Sequence, residues 1–150
     1  MILAAGFAVA NKPIPDEHHV LRYAAWGRLR RDEDGQVIGI LPQALRLRDK
    51  EPYLSVTWVE FFQGNRNGKI ANAITATRAS IGIKAQAKGI FALGNVAALH
   101  KTCKSQAVSA QVLHKKTASN PGHSGIYGLD KAENNLLSLL ADEVFSELYP

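Results

Sequence analysis

Short runs of apolar residues, broken by turn-forming punctuation, set the expected elements of the chain. His19 to Ala24 reads as a strand, and Leu29 and Val37-Ile38 flank an Asp34-Gly35 turn signal that predicts a hairpin within Arg30 to Ile40. Tyr53 to Val56 continues as a strand. Thr57 with Glu60 then matches a Ser/Thr-x-x-Glu capping box, which places a helix start at Trp58, interrupted by Gly64-Asn65 and Asn67-Gly68. Lys69 to Ser80 follows the 3.6-residue period through Ile70, Ala73, Ile74 and Arg78. Ile81-Gly82-Ile83 and Ile90 to Leu93 read as strands, and Val108, Ala110 and Val112 alternate with polar neighbours as a half-buried strand does. Thr117 to Leu129 reads as a loop. Asp130 and Glu133 cap a last helix whose Leu136, Leu137, Leu140, Val144 and Leu148 share one face. The expected fold is α+β: a single domain over 1–150, with 1–17 as an N-terminal arm. A small mixed or antiparallel sheet is packed by two or three helices, the C-terminal one amphipathic.

Composition agrees with one packed domain. The chain has 150 residues, 46% of them hydrophobic and 21% charged, with a single Cys, so a disordered tail, a collagen-like chain and a disulfide scaffold are all excluded. The apolar stretch Ile2 to Ala10 is too short to span a bilayer and lacks the basic start of an export signal, so the expectation is cytoplasmic with no membrane partner.

Charge changes the picture more than composition does. No Asp or Glu occurs from Phe61 to Leu129, while Arg66, Lys69, Arg78, Lys84, Lys88, Lys101, Lys104, Lys115 and Lys116 all fall there. Residues 1–60 are balanced, and residues 130–150 carry one Lys against five acids. Either the acidic end packs on the basic middle, or the middle binds an anion: nucleic acid, as RNA or single strands, or another phosphate-bearing ligand. A protein partner docking on either charged region is the remaining alternative. Aromatic residues beside the cations, Trp26, Phe91 and Tyr127 among them, could stack bases where a ring is exposed, whereas the helical spacing of Trp58, Phe61 and Phe62 fits a core.

No nucleotide-loop, metalloprotease or thiol-cluster motif is present, and adjacent His18-His19 would point to opposite sides of a strand, so no metal and no cofactor is expected. The segment Ser119-Asn120-Pro121-Gly122-His123-Ser124-Gly125-Ile126-Tyr127-Gly128 frames a His and a Tyr able to move protons. His-Lys pairs recur at His100-Lys101-Thr102 and His114-Lys115-Lys116-Thr117, where a His beside a cation suits metal-independent phosphodiester chemistry. The candidate catalytic residues are therefore His123, His114 and Tyr127, with Lys101, Lys104, Lys115 and Lys116 on phosphate. Cys103 reads as a small buried hydrophobe.

Three resemblances bear on these residues. The first His-Lys-Thr copy resembles the paired His-x-Thr elements of two-histidine phosphoesterases, although the second copy carries an extra Lys. Arg22, Ser55 and Glu60 resemble the Arg, Ser, Glu order of ADP-ribosyltransferases. That likeness implies an alternative nucleotide site, with Arg22 on a cofactor phosphate and Ser55 beside the sugar; Glu60 follows Ser55 by fewer residues than that family's glutamate does. The phrases Tyr53-Leu-Ser-Val-Thr-Trp-Val-Glu60 and Asn120-Pro-Gly-His-Ser124 resemble a group of short uncharacterised bacterial proteins, over most of the chain from His18 onward. This last likeness implies a bacterial, cytoplasmic protein and carries no activity with it. Taken together, the sequence points first to a small basic protein that binds nucleic acid or acts on it, as a metal-independent phosphodiesterase or nuclease. A nucleotide-using enzyme and a non-enzymatic interaction module are the alternatives.

Overall fold

The computed structural model describes residues 11–82 and 88–150. The apolar stretch Ile2 to Ala10 and Ile83 lie outside the described residues. Six strands form an antiparallel sheet: β1 (His19–Ala24), β4 (Leu54–Trp58), β5 (Ile90–Asn95), β6 (Gln111–His114), β7 (His123–Tyr127) and β8 (Glu147–Tyr149), in the order β6-β7-β4-β1-β5-β8. A separate hairpin pairs β2 (Leu29–Arg31) with β3 (Val37–Ile40), as the Asp34-Gly35 signal predicts, and Gly35 takes the left-handed φ of +81° there.

Both faces of the sheet are covered, so its central strands do not alternate cleanly between buried and exposed positions. Helix α1 (Arg66–Ile81) lies over one face, closing a core of Leu21, Val59, Ile70, Ala73, Phe91 and Leu93. Over the other face pack α2 (Val96–Ser105), α3 (Asn134–Leu139), a 3-10 turn at Pro42–Leu45 and the hairpin, around Val20, Leu54, Val56, Ala92, Leu99 and Leu140. The α+β expectation with an antiparallel sheet and three helices is what the chain forms.

Several expected elements differ, each for a local reason. No helix begins at Trp58. The Thr57 hydroxyl is committed to a buried side-chain network and Glu60 to His19, so the capping box never closes; Trp58 ends β4 and only one 3-10 turn, Val59–Phe61, follows. Asn65 caps α1 instead, its side chain accepting from Gly68 N at 2.8 Å, so the Asn-Gly pairs open the helix rather than interrupt it. At the other end Gly82, with φ +66°, terminates α1, so Ile81 and Gly82 are not strand. Val108 to Ala110 stays outside β6.

Residues Val96–Ser105 form a helix that the spacing of Val96, Leu99 and Cys103 supports, capped by Asn95 on Ala98 N at 3.0 Å. The last helix stops early. It ends in a wider π turn at Leu140–Val144, and buried Phe145 packs on Gly94, where a Cβ would come within 2.9 Å of the ring. That seat turns the chain onto the sheet edge, and Leu148 belongs to β8.

The largest correction concerns Thr117 to Leu129, which contains β7 in the middle of one half of the sheet. Its glycines serve close packing: a Cβ on Gly125 would lie 2.5 Å from the Tyr53 ring, and one on Gly122 would lie 2.8 Å from Phe62. The acidic C-terminal region is partly neutralised within the molecule, through Arg66–Glu147 at 2.9 Å and Arg30–Asp142 at 2.8 Å.

Candidate functional site

Strand β1 pairs with β5 over all six of its residues, but with β4 only at Val20↔Trp58 and Leu21↔Thr57. Past that point the sheet opens between β1 and β4. The Arg22 guanidinium fills the split, Nε donating to Ala44 O and one terminal nitrogen to Ser55 O, both at 2.9 Å.

A cavity of about 500 Å³ opens over this split, within the range of small-molecule sites. Arg22, Arg28, Arg46 and Arg48 line it against a single carboxylate, Glu51. Desolvation pulls the Arg22 pKa down to about 10, with Arg28 and Arg48 pushing it the same way and Glu51 opposing. Arg22 remains a cation at neutral pH, but a poorly solvated one. An anion in the cavity would supply the charge that water does not.

His123 reaches the cavity from the first position of β7. Its Nδ1 lies 2.9 Å from Lys115 O; a carbonyl can only accept, so Nδ1 carries the proton in the neutral ring. Nε2 is left as the acceptor and faces Ser55 Oγ at 3.3 Å. Register explains the meeting: Thr57 is opposite His123 and Ser55 is opposite Gly125, so the imidazole lies diagonally across from the hydroxyl with no side chain between them. The Tyr53 ring occupies the space over Gly125 and touches both His123 and Tyr127, with ring centroids 5.9 and 5.1 Å apart.

A buried relay holds the segment before His123. Asn120, 1% exposed, donates from Nδ2 to Thr57 Oγ1 at 2.8 Å and accepts from Gly122 N at 3.0 Å, while its carbonyl accepts from His123 N at 3.1 Å. Thr77 gives its only hydroxyl proton to Ala73 O, so Thr57 donates to Thr77 at 2.7 Å. Each member of the chain Asn120, Thr57, Thr77 has its partners, which fixes the loop to β4 and to α1 at once.

The structure thus gathers His123, Arg22 and Ser55, which the sequence assigned to two different hypotheses, into one cavity. Lys115 is adjacent: its carbonyl orients His123, and its ammonium lies 5.5 Å from the Tyr53 centroid and 3.2 Å from Asn11 Oδ1. Lys116 is exposed. His114 is turned away, donating through Nε2 to Pro121 O at 2.8 Å and packing on Trp58 and Phe61. Tyr127 meets His123 only through Tyr53. Lys101 and Lys104 lie exposed on α2, and His100 there pairs with Asp16 at 3.0 Å. Glu60 lines a smaller cavity with His19, its carboxylate 2.6 Å from Nδ1, so the Arg, Ser, Glu order is not assembled.

Arg28, Arg46, Arg48, Glu51, Asn120 and Thr57 are the site residues that sequence reading missed. The Leu45-Arg46-Leu47-Arg48 alternation was the available signal, since it predicts an extended segment with leucines inward and arginines outward. Among the described residues no three His, Cys, Asp or Glu gather as metal ligands, and no helix is long and apolar enough to cross a membrane. Comparison with family models, curated proteins and solved structures finds no match for this chain.

Proposed function

We propose that the protein binds a phosphate-bearing ligand in the arginine-lined cavity, a nucleotide unit of RNA or of a single DNA strand. On this reading it acts on the ligand by metal-independent phosphodiester chemistry. The observation that carries the proposal is the juxtaposition of a base-competent His123 Nε2 with four arginines around one open cavity. Arginine forks match phosphate oxygens bidentately, and charge developing on a phosphoryl group is what fixed cations stabilise best. The cavity suits one nucleotide better than a duplex, so flanking strand would run over the neighbouring surface, where Lys115 and Lys116 lie. His123 acts as the base, and Arg22, Arg28 and Arg48 carry the phosphate charge.

Binding of short labelled RNA and DNA at about 50 and 200 mM salt tests this, because contacts to several phosphates lose orders of magnitude in affinity over that range. Binding should weaken with salt and with Arg48→Ala, and His123→Ala should bind yet fail to cleave. Full cleavage by His123→Ala would remove the acid-base assignment.

A second reading draws on the same cavity. Arg22 and Ser55 share it, which suits a nucleotide-using transferase of the ADP-ribosyl type, with Glu51, the carboxylate that lines it, in place of Glu60. Release of nicotinamide from NAD would favour that reading.

A further inference from the structure

We infer that Ser55 is the nucleophile of this site and that the reaction passes through a covalent phosphoseryl intermediate; the inference rests on the phosphodiester reading above. The elements of an activated serine are present. Ser55 is exposed on β4, and its Oγ lies 3.3 Å from an imidazole nitrogen that must be the acceptor, because Lys115 O holds the proton on the other nitrogen at 2.9 Å. A hydroxyl, a base and a third group orienting the base make up the arrangement that activates serine on unrelated folds. Here the third group is a backbone carbonyl.

Two hydroxyls close to Ser55 on these strands are already committed. Thr57 spends its donor and an acceptor site in the buried relay, and buried Ser124 donates to Gly122 O at 3.0 Å. Arg22 donates to the carbonyl of Ser55 itself, so the residue offering the nucleophile is fixed to one of the four cations that line the cavity. Opposite it in the ladder stands Gly125, so the partner strand sets no side chain of its own between Ser55 and His123, and the Tyr53 ring lies over that glycine.

The step balances as follows. Ser55 Oγ bonds to phosphorus as the bond to the leaving oxygen breaks, and the Ser55 proton passes to His123 Nε2. That proton is returned to the leaving alkoxide, so one strand end departs as an alcohol. Water, deprotonated by the same Nε2, then attacks phosphorus; the phosphoseryl bond breaks, and Nε2 passes that proton to Ser55 Oγ, which restores both the serine and the neutral imidazole. No cofactor or redox partner enters.

Diisopropyl fluorophosphate tests the nucleophile without knowledge of the natural substrate. The probe is neutral and needs none of the arginines; attack by Ser55 forms an Oγ–P bond, expels fluoride and passes the proton to His123. Intact-mass and peptide analysis should find one adduct, on Ser55. It should be absent in Ser55→Ala and on the order of 100-fold slower in both His123→Ala and His123→Gln, the contribution expected of a positioned base. Ser55 is exposed, so Ser55→Ala should keep the circular dichroism spectrum and urea midpoint of the parent. Wild-type protein that stays unlabelled at Ser55, or His123 variants labelled at the parental rate, would overturn the inference. Salt-sensitive RNA binding without labelling would remove the nucleophile and leave the phosphate reading. Labelling of Ser55 with no binding of RNA or DNA would keep the nucleophile and remove the phosphodiester substrate.

Discussion

Thr57→Val is the sharpest test of how the site is held. Valine keeps the branched shape of threonine and puts a methyl in place of the hydroxyl, which sits at the centre of the relay from Asn120 to Thr77. Two hydrogen bonds are lost. The Thr57 to Thr77 bond is worth about 1 kcal/mol net, and Thr77 keeps its own bond to Ala73 O. The Asn120 amide, at 1% exposure, is left with a donor in a dry site, which costs about 1–3 kcal/mol. The expected destabilisation is therefore about 2–4 kcal/mol, large for a change of one atom. In a domain of this size that lowers the melting temperature by on the order of 10 °C. Urea unfolding followed by tryptophan fluorescence measures it, with unchanged slope as the sign that only stability has moved. Asn120→Ala should cost a similar amount, and the double variant should cost clearly less than the sum, since both changes break one bond. A loss below about 0.5 kcal/mol for Thr57→Val, or strict additivity with Asn120→Ala, would refute the reasoning: the loop before His123 would then be held by something other than this relay.

Other expectations follow from single contacts. Gly125→Ala should cost about 1–3 kcal/mol by driving a methyl into the Tyr53 ring, and should disturb His123 through the same ring; unfolding midpoints and the His123 imidazole resonances report each. Cys103 is buried and its thiol is pushed up to about 11 by desolvation, so a thiol reagent should leave the folded protein untouched and react on unfolding. The hydrogen bond from Arg66 holds the Glu147 carboxyl below its ordinary range, so its folded pKa lies under its unfolded one. Its stabilisation is present above the unfolded pKa and is lost as pH falls through the folded value. Because both partners are exposed, Glu147→Gln should cost less than about 1 kcal/mol at neutral pH, and that gap should close in acid.

The fold was legible where local signals agree with tertiary demands. His19–Ala24, the Asp34-Gly35 hairpin and the body of α1 each carry their period and their punctuation in the same place. Legibility failed where a residue type serves a purpose other than its usual one. Gly122 and Gly125 look like loop residues, yet they make room for Phe62 and Tyr53 beside and within a buried strand, and no local rule separates those two uses. Thr57 and Glu60 have the spacing of a capping box, but each is drawn off by a distant partner, Asn120 and His19.

The same holds for the site. His123, Ser55 and Arg22 were recognisable as chemistry, but their convergence depends on which strands become neighbours. The other three arginines escaped notice because residues 1–60 carry equal numbers of acids and bases. In three dimensions many of those acids turn elsewhere: Asp32 accepts from two turn amides, Asp16 meets His100 and Glu60 meets His19. Arg22, Arg28, Arg46 and Arg48 are left facing one cavity. Sequence balance hid spatial imbalance.

The most direct test of the arginine-lined cavity as the phosphate site is nuclear magnetic resonance of the histidine side chains while a short single-stranded RNA is titrated in. The account predicts that the His123 signals move with added RNA and that Arg48→Ala weakens the effect, while His100 and His114, engaged with Asp16 and with Pro121 O, stay nearly fixed. Movement of His100 or His114 with His123 unmoved would place the phosphate on the lysine-bearing surfaces instead, and would contradict it.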